Sequence, residues 1–235
     1  MAIAAPQKGL ANVRNVMVRY ARTVDGLDYL AMIDDDERPS RAWISALIDM
    51  QKRTGCDIVS GPTEPVFEPG TAKWPHHCPL FWSGAFEDGV IDMNWGTCNV
   101  LFHRRALEIS PQELFDPAFN ALGGEDVDAF MRLKSLGCRF AWANSALVFD
   151  DIPATRTTLA WITRRAFRIG NSNMLAQLRW KFGRFGYLPK SCSSHLKVPV
   201  SQQYSHRFMC VFLRTSINGR IRVREMDFCS MISMK

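Results

Sequence analysis

The stretch YLAMIDDDERP, residues 29–39, decides how the rest of the chain is read. Five apolar residues without alternation are followed at once by four acids. An unbroken apolar run of this length fits a strand buried on both faces, as in a parallel sheet. In an extended segment Asp34 and Asp36 point to the same side. Neighbouring carboxylates repel, so the pair is a natural seat for Mg²⁺ or Mn²⁺, hard cations that keep substrate phosphates as co-ligands. In open α/β sheets ligands bind beyond the carboxyl ends of the strands, where these acids fall. The plainer alternative is a solvated acidic turn, with Glu37 favouring the N-terminus of the next helix.

Working outward, residues 10–22 read as a helix that stops before the turn signal Asp25-Gly26. Pro39-Ser40 is expected to open a helix reaching about Arg53, with Trp43, Leu47 and Met50 on one face beside Ile44 and Ile48. Residues 57–60 form a second strand closed by Gly61-Pro62, so strand, helix and strand alternate as in an α/β layer fold. Residues 62–95 read as a long loop with short strands, and residues 99–102 (NVLF) as a strand. Gly124 to Gly137 is a helix with Val127, Phe130, Met131 and Leu136 on its buried side. Residues 140–142 and 147–149 are short strands. A long helix over residues 154–178 carries Leu159, Ile162, Ala166 and Ile169 on one stripe. Beyond Pro189 the pattern decays, which divides the chain into a domain at 1–180 and a basic, poorly patterned tail at 181–235.

The composition, 47% hydrophobic and 22% charged, is that of an ordinary globular protein. Seven scattered cysteines with no CxxC pair exclude a disulfide frame and point to reduced thiols in a cytoplasmic protein. His76-His77-Cys78 sits in a Pro-flanked loop, where adjacent side chains rarely converge on one metal. No apolar run approaches the ~20 residues of a membrane span, and the opening MAIAAPQKG is too soon broken by proline for a signal peptide. The net charge of +6 hides a split: residues 1–151 carry −7 and residues 152–235 carry +13. An acidic body suits a cation and a basic end an anionic partner: phosphate, lipid headgroups or nucleic acid.

Two further constellations carry chemistry. Gly123-Gly124-Glu125-Asp126, with Asp128 following, opens a helix. Its acids either serve the helix dipole or supply a carboxylate that takes a proton from an acceptor hydroxyl. Arg164, Arg165 and Arg168 make a basic patch suited to phosphate, or simply a solvated face.

Together the segments GLANVRN (9–15), YLAMIDDDERP (29–39), WGTCNVLFHRRALE (95–108), GGEDVDAFMRLKSLG (123–137) and DDIPATRTTLAWITRRAFRIGNS (150–172) resemble family 2 glycosyltransferases. The resemblance is to the bacterial subgroup that builds exopolysaccharides, succinoglycan glucosyltransferases among them. It implies a GT-A fold, a Rossmann-like mixed sheet flanked by helices. It also implies an inverting transfer from a nucleotide sugar, UDP-hexose by expectation, to a polysaccharide or lipid-linked acceptor. Asp34 and Asp36 match the DxD acids that hold the metal, with Asp35 between them at the donor. Asp126 matches the catalytic base of the ED motif, with Glu125 its neighbour near the acceptor. Gly96 and Asn99 match the loop lining donor sugar and acceptor, and Arg14 and Asn15 the RN that follows the first nucleotide-binding segment. Arg164, Arg165 and Arg168 stand where many relatives carry QxxRW, a motif missing here.

Relatives begin with a strand, a turn and a second strand that grip the donor's base and ribose, and this sequence starts at their aftermath. An N-terminally truncated sheet is therefore expected to leave an uncovered edge, and an inactive remnant is the alternative to an enzyme. A third reading is a nucleic-acid or anionic-membrane module run by the basic end. The first reading places the protein in the cytoplasm, with contact at the inner face of the membrane left open.

Overall fold

The computed structural model describes residues 7–83, 86–110, 113–182, 207–215 and 221–229. Helix α1 (Leu10–Thr23) is followed by β1 (Tyr29–Asp34), β2 (Glu37–Pro39), α2 (Trp43–Thr54), β3 (Ile58–Ser60) and β4 (Thr63–Phe67). Then come β5 (Gly89–Ile91), β6 (Asn99–His103), α3 (Arg104–Glu108), α4 (Glu125–Ser135), β7 (Phe140–Trp142) and β8 (Val148–Ile152). Helix α5 (Leu159–Phe182) and strands β9 (Arg207–Thr215) and β10 (Ile221–Cys229) complete the order. One sheet runs β10-β9-β1-β6-β3-β7-β5, and a smaller one β2-β8-β4.

The apolar run of β1 is explained by burial on both faces. Leu30 and Met32 pack into one core with Ala11, Met17, Leu107 and Phe130 from α1, α3 and α4. Tyr29, Ala31 and Ile33 pack into another with Trp43, Leu47 and Ile48 of α2. Strand direction is where the reading changes. β1 runs antiparallel to both β6 and β9, whereas β3 and β7 are parallel. Two-sided burial, not strand direction, produces the continuous apolar pattern. The flank of β1 expected to lie uncovered is paired with β9, from Tyr29↔Leu213 to Asp34↔Phe208, so the ends of this sheet are β10 and β5.

Three other expectations shift. Residues 37–39 form β2, paired with β8 through Glu37↔Asp150, so α2 begins only at Trp43. Pro39, which has no N–H, is tolerated because β2 is an edge strand. Leu136 is 42% exposed, and α4 buries Val127, Phe130 and Leu133 instead. On α5 the expected stripe is split: Leu159 (69% exposed) and Ala166 face outward and Ile169 is half-buried, while Ile162 is buried along with Ser172 and Ala176. The helix leans on α4, where fully buried Asp128 accepts from Trp180 Nε1 at 2.9 Å and from Arg132 at 2.8 Å. Gly124 permits that approach, since a Cβ there would meet Ser172 Cβ at 2.8 Å.

Candidate active site

β1 delivers its acids to the carboxyl end of the main sheet. The backbone N–H of Asp34 donates to Glu37 Oε2 at 3.1 Å, which closes a tight acidic turn. Asp36 is paired with Arg156 at 3.2 Å. Across the second sheet Asp150 lies opposite Glu37. Burial lifts the Asp34 carboxyl to about 6; Arg14 pulls against this, and Asp36 and Asp150 push further. Burial and then Asp34 drive Glu37 up to about 10, and burial and then Asp36 raise Asp150. Oδ1 of Asp34 and Oδ1 of Asp150 are both enclosed without a hydrogen-bond partner. Enclosed, unpartnered carboxylate oxygens amid repelling acids are the donor set a hard cation accepts. Among the described residues no three His, Cys, Asp or Glu side chains converge tightly enough to hold an ion alone. Were a cation to sit on Asp34 and Asp36, further ligands would have to come from elsewhere, as they do for Mg²⁺ that keeps substrate phosphates and water.

The second acid group stands at the start of α4. Gly123 (φ 77°) and Gly124 (φ 90°) adopt the left-handed turn that lets the chain enter the helix, and no side chain caps it. Glu125 is 3% exposed and accepts a hydrogen bond from Arg14 of α1. Asp126 Oδ1 accepts from the Val127 N–H at 2.8 Å. Burial and then Glu125 raise Asp126 to about 6, with Arg14 opposing. Arg14 links the two acid groups. Burial works against its charge, yet Glu125, Asp34 and Asp126 together hold the guanidinium above its usual value.

The description glycosyl transferase family 2 fits residues 3–122, about half of the chain. The chain belongs to this family. It is also 30% identical, over 152 residues, to the succinoglycan biosynthesis protein ExoM of Rhizobium meliloti (strain 1021), a match covering 62% of this chain and 47% of that protein. The chain thus spans about half the length of the curated relative it matches.

Within this family 2 chain the remaining expected residues separate into two groups. Some are committed to scaffolding. Asn99, 2% exposed, accepts from Trp43 Nε1 at 2.8 Å and donates to the carbonyls of Ala146 at 2.7 Å and Pro62 at 3.0 Å. Its amide ties β6 to α2 and two loops. Asn15 likewise holds the backbone of Phe115 through both its amide atoms, at 2.7 and 2.9 Å. Others lie toward the acids. Gly96 leaves room beside Cys98, whose Sγ a Cβ there would meet at 3.7 Å. Arg165, packed over the Trp161 ring at 5.3 Å, is depressed by burial and then by Arg168 and Arg156, while Asp150 and Cys98 support its charge. Arg164 and Arg168 are exposed.

Three residues at the site were not singled out from the sequence: Cys98, Asp150 and Arg156. Burial and then Glu37, Asp34 and Asp126 raise the Cys98 thiol well above its usual value, so it stands amid both acid groups. Its place in the matched stretch 95–108 was the available signal. A surface hollow of about 640 Å³ along α2, lined by Ala42, Asp49, Arg53 and Asp88, contains none of these groups.

Proposed function

We propose that the protein transfers a sugar, with inversion, from a nucleotide sugar of the UDP-hexose class to a polysaccharide or lipid-linked saccharide. The observation that carries this reading is the position of Arg14, whose charge is supported at once by Asp34 on β1 and by Glu125 and Asp126 on α4. Acids about 90 positions apart in sequence thus share one electrostatic centre, one suited to a donor diphosphate and the other to an acceptor hydroxyl.

Asp34 and Asp36 would hold Mg²⁺ or Mn²⁺. When bound, the ion supplies neutralising charge to the departing diphosphate. Asp126, raised to about 6, is a base matched to neutral pH and takes the proton from the acceptor hydroxyl. The oxygen then attacks the anomeric carbon from the face opposite the leaving group. Arg165 adds positive charge on the donor side.

Contact with an anionic membrane is part of the same reading. Leu159, Phe167 and Met174 of α5 are 60% or more exposed. At ~100° per residue they lie within an arc of about 80°. Exposed Arg164 and Arg168 follow on one side, about 60° and about 100° beyond that arc. Apolar side chains flanked by arginine suit the headgroup boundary. Among the described residues no helix is long and apolar enough to cross a membrane. The test is transfer from a panel of UDP-hexoses to lipid-linked saccharides, with the product anomer read by NMR. Inversion is expected; a retained anomer sinks the direct displacement.

A further inference from the structure

We propose that Arg14 is a positioning residue for the base: it acts through Glu125 to hold the first turn of α4, and does not act on the donor. The inference rests on the reading of Asp126 as base.

Arg14 occupies the inner face of α1 among Ala11, Met17, Val18 and Ala21, and is only 5% exposed. A buried charge on an apolar face persists only when paired. Its partner is Glu125, the first residue of α4 and the direct neighbour of Asp126. The guanidinium also lies 5.8 Å from the centroid of the Phe115 ring. That ring is fixed in turn, because the next residue of α1, Asn15, grips the backbone of Phe115 from both sides. Asn15 thus steadies Phe115, Phe115 supports Arg14, and Arg14 holds Glu125.

The need for such a tether follows from the start of α4. Two left-handed glycines lead into the helix, and no side chain caps its N-terminus. Asp128 secures the helix to α5 through Trp180 and Arg179. Glu125 secures it to α1. Asp126, one residue round from Glu125, takes its orientation from these two fixings. Rotation or fraying of this turn would move the base away from the acceptor hydroxyl, and misplacement of about 1 Å can lower turnover about 100-fold.

Four variants test this: Arg14→Met, Arg14→Lys, Glu125→Gln and the double Arg14→Met/Glu125→Gln. Each is assayed for kcat, for UDP affinity by calorimetry with Mn²⁺, and for folding midpoint. Arg14→Met should lower kcat about 100-fold while UDP affinity stays within about twofold. Arg14→Lys should recover part of kcat. In the double variant both members of the Arg14–Glu125 pair are neutral, so the midpoint should return part of the way toward wild type while kcat stays low. That dissociation separates positioning from mere support of the fold. Wild-type turnover in the double variant would overturn the proposal, as would a loss of UDP affinity in Arg14→Met that matches the loss of kcat. Asp126→Asn, run alongside, distinguishes the failures. If it keeps turnover, the base reading falls and this inference with it; if it loses turnover while the double variant keeps it, only the inference about Arg14 falls.

Discussion

Replacing Asp126 by Asn should make the protein more stable at neutral pH and nearly inactive. Asp126 has a folded-state pKa of about 6, against an ordinary 3.8, with burial the first cause and Glu125 the second. Each pKa unit corresponds to ~1.4 kcal/mol, so two units bound the effect at about 3 kcal/mol. Because Asp126 is coupled to Glu125 and Arg14, about 1–3 kcal/mol is the working range. The sign follows from the raised value. Below about pH 4 the carboxyl is protonated in folded and unfolded chains alike, and it carries no penalty. As pH rises through 6 it ionises in a buried site, and that stability is lost. Asn is never ionised, and its oxygen can still accept from the Val127 N–H that Asp126 Oδ1 meets at 2.8 Å. For a domain of this size the gain at pH 7 is about 2–10 °C in Tm, shrinking toward zero at pH 4. Turnover should fall by about 10²–10⁴. Thermal melts from pH 4 to 8, beside a transfer assay, measure both. A lower Tm than wild type at pH 7, a gain that persists unchanged at pH 4, or kcat within tenfold of wild type would refute this reasoning.

The same carboxyl sets an acidic limb. kcat/KM should fall about tenfold per unit below pH 6, and a profile flat to pH 4.5 would contradict the assignment. Asn99→Ala should lower stability by about 3–5 kcal/mol, since it strands Trp43 Nε1 and two carbonyls in the interior. Urea denaturation checks it, and a loss below about 1 kcal/mol would show that the amide is not a structural tie. Phe167→Glu, at a site 68% exposed, should leave the fold intact and reduce co-sedimentation with phosphatidylglycerol vesicles. Unchanged vesicle binding would remove α5 from the membrane surface.

Residues whose pattern reports their own burial were legible in the sequence. Residues 29–33 read as a buried strand because both faces of β1 are covered, and Trp43, Leu47, Ile48 and Met50 read as a helix face because one core takes them all. Strand direction was not legible, since apolarity says nothing about which neighbour pairs. β9 and β10 were missed although residues 208–213 (FMCVFL) form an apolar run like that of β1; the polar sequence around it obscured the period. Leu159 misled because periodicity marks an apolar stripe without saying whether protein covers it. At the site, acids in sequence clusters were found, whereas Asp150 and Cys98 join them only through sheet pairing and loop closure. Arg14 shows the same limit. The resemblance set it in the RN segment beside the donor nucleotide, and its burial against Glu125 became visible only when α1 and α4 were brought together.

Calorimetric titration of UDP into wild type, Asp34→Asn/Asp36→Asn and Asp126→Asn, each with and without Mn²⁺, tests the division of labour between the two acid groups most directly. Mn²⁺-dependent binding is expected in wild type and in Asp126→Asn, and loss of it in the double Asn variant. Binding indifferent to Mn²⁺, or abolished by Asp126→Asn alone, would contradict the account.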